Sequence, residues 1–175
     1  MAKAKATPTK PRGFNLATDL SIGLCNCSAL RKAARRVSLL YDEALAPYGI
    51  KVTQRSILEH VAKAERPSVS ELADAMAMDR SAMTRNLQPL EREGWIKLLV
   101  NKEDRRSRFV ALTASGEAKL GETFHAWKRA QASFERVFGQ TEAADLRTTL
   151  RVVASQDFVD AYKQGDAPSK SARPR

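Results

Sequence analysis

Two helix-start signals in quick succession, followed by a basic hairpin, constrain this chain more than any other feature; they occupy Ser68 to Gly116. Ser68 and Glu71 stand at the S-x-x-E spacing of a capping box, in which each side chain takes a backbone N–H that the first turn leaves unpaired. A helix therefore starts there, and Leu72, Ala73 and Met76 recur behind it at helical spacing. Met78 and Asp79 interrupt it, and Asp79 has the acceptor needed to cap a second helix. In that second helix Met83, Leu87 and Leu90 form an apolar stripe. Arg80, Ser81, Thr84, Arg85 and Gln88 fall on a different arc, because each residue advances about 100° around the axis. Pro89 lies inside the same helix, where it removes one backbone bond and presses on the carbonyl of Arg85, so a mild kink is expected. Gly94 suits the left-handed position that closes a helix. Trp95 to Val100 and Arg108 to Leu112 then read as two strands joined by the polar, mostly basic loop NKEDRRS.

Helix, turn, helix and basic hairpin together describe a winged helix-turn-helix. The exposed arc carries the chemistry such a fold needs to read a duplex. Arginine forks onto guanine, glutamine bridges adenine, and serine and threonine reach phosphates or base edges. Lys102, Arg105 and Arg106 at the hairpin tip, with Arg108 entering the next strand, put positive charge beside that helix. A cationic tip of this kind reaches flanking phosphates or a narrow minor groove. Two packed helices with a solvated charged face would also show a polar arc, but would not require the basic hairpin that follows it.

The stretch resembles the DNA-binding lobe of the MarR family of bacterial transcriptional regulators. The matching pieces are SELADAM, the helix DRSAMTRNLQPLEREGWI, the D-x-R of Asp104 and Arg106, and the closing LTASG at Leu112 to Gly116. The resemblance implies an obligate homodimer, a recognition helix in the major groove of a pseudo-palindromic duplex site, and a wing arginine, here Arg106, in the minor groove. Asp104 would hold the wing in shape.

Around this lobe the chain is mainly α, with the hairpin as its β structure. Residues 1–17 read as a disordered basic arm and 165–175 as a flexible tail. Residues 18–164 read as a single domain, with a winged lobe at 50–115 between segments 18–47 and 116–164 that form a helical dimerisation lobe. In the first segment Leu30, Ala34, Val37, Tyr41 and Leu45 make an apolar face until Pro47 and Gly49 break the helix. Thr53 is expected to cap a helix running to Ala64. Ser115 and Gly116 open a long helix to about Phe138, stopped by Gly139. Thr141 is expected to cap a last helix whose face includes Leu146, Leu150, Val153 and Phe158. These outer helices carry more apolar surface than a small winged lobe can cover, and an amphipathic stripe without an intrachain partner must find another chain.

The 175 residues contain 30 Lys plus Arg against 20 Asp plus Glu, a formal charge of +10 that suits a polyanionic partner. No apolar run approaches membrane-spanning length, and the basic N-terminal stretch has no apolar core of a secretory signal, so a cytoplasmic location is expected. There is no Walker A loop, dinucleotide glycine fingerprint, G-x-S-x-G or H-E-x-x-H, so neither an enzyme nor a cofactor is expected. Cys25 and Cys27 offer two metal ligands where a site needs three or four, so no metal is expected either.

Two regulatory inputs are compatible with the sequence. In the family, aromatic carboxylates and phenols bind between the two lobes; Arg31, Tyr41, His60 and Trp127 are the candidates here for such a ligand. Alternatively, Cys25 resembles in position the sensing thiol of the organic-hydroperoxide branch of the family, with Arg31 and the first turn of the helix as sources of positive potential. Asn26 stands where that branch has an aromatic residue. From another class altogether, a winged helix can serve as an RNA- or protein-binding module. Duplex RNA has too narrow a major groove for the Arg80–Gln88 arc to enter.

Overall fold

The computed structural model describes residues 25–100 and 107–165. The chain divides into two compact units, 1–37 and 38–175. The described part of the first is the opening of helix α1 (Asn26–Leu45), which runs on into the second. Cys25 directly precedes this helix and its carbonyl receives the N–H of Ala29; residues 18–24, where helix was also expected, lie outside the described residues. Along α1 only Tyr41 and Leu45 are buried; Leu30 and Ala34 are exposed and Val37 is half-buried.

A short 3₁₀ turn (Ala46–Tyr48) follows, closed by Gly49 at φ +67°. Helix α2 (Val52–Ala64) then starts one residue before Thr53, which therefore lies inside the helix and is not its cap. The first turn is held instead by Asp42 from outside the helix, which accepts the N–H of Val52 at 2.7 Å, and by Gln54 within it, which accepts that of Lys51 at 2.9 Å. Such an acceptor, ten residues upstream, leaves no mark in the local sequence.

Helix α3 (Val69–Ala75) begins at the expected capping box, with Ser68 Oγ accepting from Glu71 N and Glu71 accepting from Ser68 N at 2.7 Å. Helix α4 (Arg80–Arg92) is capped by Asp79, which accepts from Ala82 N at 2.7 Å. The helix continues through Pro89 to Arg92, and Gly94 at φ +72° turns the chain out of it. Strands β1 (Ile96–Val100) and β2 (Arg108–Leu112) pair antiparallel, with Ile96 opposite Leu112 and Val100 opposite Arg108. A single bridge between Ser68 and Phe109 adds a rudimentary third strand, and the N–H of Val110 donates to Pro67 O.

The core of this winged lobe comes from Leu45 and Ile50, from Ile57, Leu58 and Val61 of α2, and from Leu72 and Ala73 of α3. Val69 of α3, Met83, Leu87 and Leu90 of α4, Trp95, Ile96 and Val110 complete it with Ala126. The expected stripe of α4 is thus the buried one. Burying a Leu- or Met-sized side chain stabilises by about 1.5–3 kcal/mol, so this cluster fixes how α4 sits.

Helix α5 (Ala114–Phe138) is capped by Thr113, whose Oγ accepts Gly116 N at 3.1 Å and donates to Gly94 O at 2.6 Å. A Cβ on Gly116 would lie 2.0 Å from the carbonyl oxygen of Trp95, so only glycine fits between helix and hairpin. Gly139, at φ +102°, separates α5 from α6 (Gln140–Val153). Because α6 starts at Gln140, Thr141 lies in its first turn and does not cap it. The expected single face through Phe158 is broken as well: α7 (Gln156–Gly165) is a separate helix. Ser155 makes the break, its Oγ donating to Val152 O and accepting from Phe158 N. A side-chain hydroxyl that satisfies both flanking helix ends competes with continued helix.

Three helices are tied by a polar chain that local patterns do not show. Tyr41 of α1 donates to Gln131 Oε1 at 2.7 Å, Gln131 donates to Glu135 at 2.8 Å, and Arg147 of α6 reaches the same carboxylate at 3.0 Å. Burial first, and then the Glu135 charge, hold the Tyr41 phenol above its usual range, so it stays a neutral donor. Glu135 is held below the usual carboxylate range by Gln131 first and Arg147 after it.

Candidate nucleic-acid interface

With Met83, Leu87 and Leu90 facing inward, the helical period leaves Arg80, Ser81, Thr84, Arg85 and Gln88 of α4 exposed, as the sequence arc requires. Thr84 Oγ donates to the carbonyl of Arg80 at 2.8 Å, which fixes its rotamer and leaves its oxygen as an acceptor. Arg80, Thr84 and Gln88 share a concavity of about 370 Å³ with Arg108 of β2. Its floor is Val69, Leu87 and Leu98, and Glu91 is its acidic edge. Helix and hairpin therefore converge on one surface. The side chains of Ser81 and Arg85 lie outside that concavity on the exposed face of α4. Lys102, Asp104, Arg105 and Arg106 lie outside the described residues.

The ligand candidates are distributed differently. Tyr41 lines an apolar concavity of about 610 Å³ between α1 and α5, together with Leu40, Ala130, Phe134 and Phe138, and with Glu43 and Arg129 as its charged residues. His60 lines another, formed by α2 and α3, and its Nδ1 is held by Ser56 O at 2.8 Å. Trp127 lines neither; it lies against the core, under the guanidinium of Arg55 at 4.7 Å. Arg31 is exposed on α1. Cys25 and Cys27 are both exposed, and Cys25 Sγ accepts the N–H of Ser28 at 3.4 Å. Among the described residues no three His, Cys, Asp or Glu side chains are placed to hold a metal ion, and no helix is long and apolar enough to cross a membrane.

Comparison with known proteins matches about three quarters of the chain. A family model described as MarR family matches residues 48–107, the winged lobe. The solved structure of the transcriptional regulator MosR of Mycobacterium tuberculosis in complex with DNA is 31% identical and covers 73% of this chain and 97% of its own, with a TM-score of 0.63. The chain belongs to the MarR family. A cysteine-to-serine variant of MarR from Escherichia coli, solved with operator DNA, is 25% identical, covers 78% of this chain and 99% of its own, and has a TM-score of 0.68. Among curated relatives, the regulator BilQ of Clostridioides difficile is 25% identical over 135 residues, 77% of this chain and 87% of its own length. Like these MarR-family relatives the chain is a DNA-binding transcriptional regulator rather than an enzyme.

One buried charge, away from this surface, has no clear mark in the sequence. Arg55 looks like a surface cation on a helix, but it is buried at 3% exposure between α2 and α5. The signal available was its place between Val52 and Leu58 on a helix whose other inward residues are apolar, and it was ambiguous because Arg also snorkels.

Proposed function

We propose that this MarR-family protein is a homodimeric repressor that binds a pseudo-palindromic duplex, each subunit placing α4 in the major groove and its wing against the neighbouring backbone. The observation that carries this reading is the convergence of Arg80, Thr84 and Gln88 with Arg108 on one exposed surface beside a buried stripe. Arg85 and Gln88 read bases, while Ser81 and Thr84 position the helix on phosphates. Lys102, Arg105 and Arg108 add phosphate contacts, Arg106 enters the minor groove, and Asp104 orders the wing. Two such helices must stand about 34–36 Å apart to meet consecutive turns of one face of the duplex.

Release follows from binding of a small aromatic or phenolic acid. The concavity lined by Tyr41, Leu40 and Phe134, with Arg129 as cation and Glu43 as the one carboxylate, has the size and the mostly apolar walls of a small-molecule site. A ligand that prefers one spacing of the two DNA-reading helices lowers operator affinity by its difference in affinity for the two states.

The test is a pair of substitutions on the operator recovered from genomic DNA. Arg106→Ala should weaken binding to all operator variants and reduce the log–log salt slope by about one if it neutralises one phosphate. Arg85→Ala should instead relax base preference, at a cost of about 1–3 kcal/mol. Unchanged binding by both variants would mean that another surface meets the DNA, and preference for duplex RNA of equal length would favour the RNA-binding alternative.

A second switch is favoured by the exposure of Cys25 and its contact with Ser28 N–H at the open end of α1. Oxidation of this thiol by an organic hydroperoxide would replace the cap of a helix in the dimerisation lobe by a bulkier polar group. The peroxide should then release operator from the parent and not from Cys25→Ser; equal behaviour of the two assigns the switch to the small-molecule cavity.

A further inference from the structure

Among the described residues, the buried polar side chains are Thr123 and Arg55. Thr123 is accounted for, since its hydroxyl reaches the carbonyls of Lys119 and Leu120 within its own helix. Arg55 is not. Its Nη1 donates to Glu59 at 3.0 Å, its guanidinium lies over the ring of Trp127 at 4.7 Å, and its buried Nε has no hydrogen-bond partner.

Cohesion alone does not account for a buried cation here. The neighbouring inward positions of α2 are Ile57, Leu58 and Val61, and an apolar side chain of similar length would join them without an unsatisfied N–H. What a guanidinium adds is direction. It is planar and always charged, and its face and its edge make different contacts, here the Trp127 ring and the Glu59 carboxylate. Apolar contact is non-directional and lets one helix slide or tilt on another.

The position makes that direction consequential. Helix α2 packs on the core that seats α4, and α5 carries the chain away from the hairpin toward Phe138. At about 1.5 Å per residue, Phe138 stands roughly 16 Å beyond Trp127, so a tilt of about 10° at the stack moves it by about 3 Å. One base-pair step is about 3.4 Å along a strand.

We propose that Arg55 is a positioning residue: by stacking on Trp127 and pairing with Glu59 it fixes the crossing of α2 and α5, and through it the half-site spacing that the regulator accepts. The inference rests on the two-half-site reading above. It makes Arg55 a determinant of operator choice that never touches DNA.

The experiment uses the full-length protein and an operator series in which the two half-sites are unchanged and their separation is altered by one base pair either way. The parent should prefer one separation by about tenfold or more. Arg55→Met keeps the stem and removes both the charge and the orphaned Nε. It should remain folded, sediment as the parent does, and bind the best-spaced operator within about threefold, while its preference among spacings falls to about threefold or less. Trp127→Leu, which removes the ring and leaves Arg55, should flatten the preference in the same way and decides the matter if Arg55→Met does not fold. In a Trp95→Phe background the emission of Trp127 should change on Arg55→Met, a readout that lost stability alone does not move. Undiminished spacing preference in the folded variants overturns the proposal. A parent that binds a single half-site as tightly as a pair overturns the two-half-site reading instead and takes this proposal with it.

Discussion

Glu71 shows how much one exposed side chain contributes to the reading helix pair. Its carboxylate is held below the usual range by the Ser68 N–H first and the Ser68 hydroxyl second. Because the folded value lies below the unfolded one, the capping contribution is complete above the ordinary glutamate range, about pH 4.3, and is lost as pH falls through the folded value. Chemical denaturation between neutral and acid pH should therefore show Glu71→Gln losing less stability on acidification than the parent; parallel pH profiles would remove the box as a source of acid sensitivity. Ser68, Glu71 and Asp79 were legible in the sequence because a capping side chain and the backbone N–H it accepts are three residues apart. Arg55 was not, because its burial depends on Trp127, far along the chain and on another helix.

At the scale of elements, α4 carries a conflict between stability and shape. Proline inside a helix lacks the N–H that would bond to the carbonyl of Arg85, yet α4 persists through Pro89 to Arg92. The stripe of Met83, Leu87 and Leu90 in the core holds the helix against that loss. Pro89→Ala should stabilise the protein by about 1–3 kcal/mol, measured by urea denaturation. Loss of operator affinity in the stabilised variant would show that the proline aims the Arg80–Gln88 arc; unchanged stability would mean that the tertiary contacts already absorb the strain. The breaks between outer helices were less legible than α4. Ser155 ends one helix and begins the next within an amphipathic pattern that continues across it, so periodicity alone reads through the break.

For the whole molecule, the apolar surface left uncovered argues for a second copy. Leu39, Leu40, Val137, Phe138, Val152, Phe158, Val159 and Tyr162 are exposed, Val137 at 84%, and α7 has no buried residue. These side chains belong to α1, α5, α6 and α7, the segments expected from sequence to form the dimerisation lobe, so a homodimer at micromolar concentration is expected. Val152→Asp should shift sedimentation toward the monomer while leaving intact the winged-lobe core and the Tyr41-lined concavity, to neither of which Val152 belongs. A parent that already sediments as a monomer would remove the dimer.

The sequence by itself determined the helix starts at Val69 and Arg80, the buried stripe and polar arc of α4, the hairpin and the glycine that precedes it. Apart from the hairpin, which shows as two strand-like runs around a polar loop, each of these depends on residues within about a turn of one another, where backbone hydrogen bonding and helical period leave little choice. Tertiary structure decided what depends on groups distant in the chain. Asp42 begins α2 in place of Thr53, Gly116 is pinned by the Trp95 carbonyl, Arg108 joins the α4 arc, and Tyr41, Gln131, Glu135 and Arg147 link three helices. A polar group's partner is set by which elements meet, and that is fixed by the packing of the whole apolar core rather than by any local spacing.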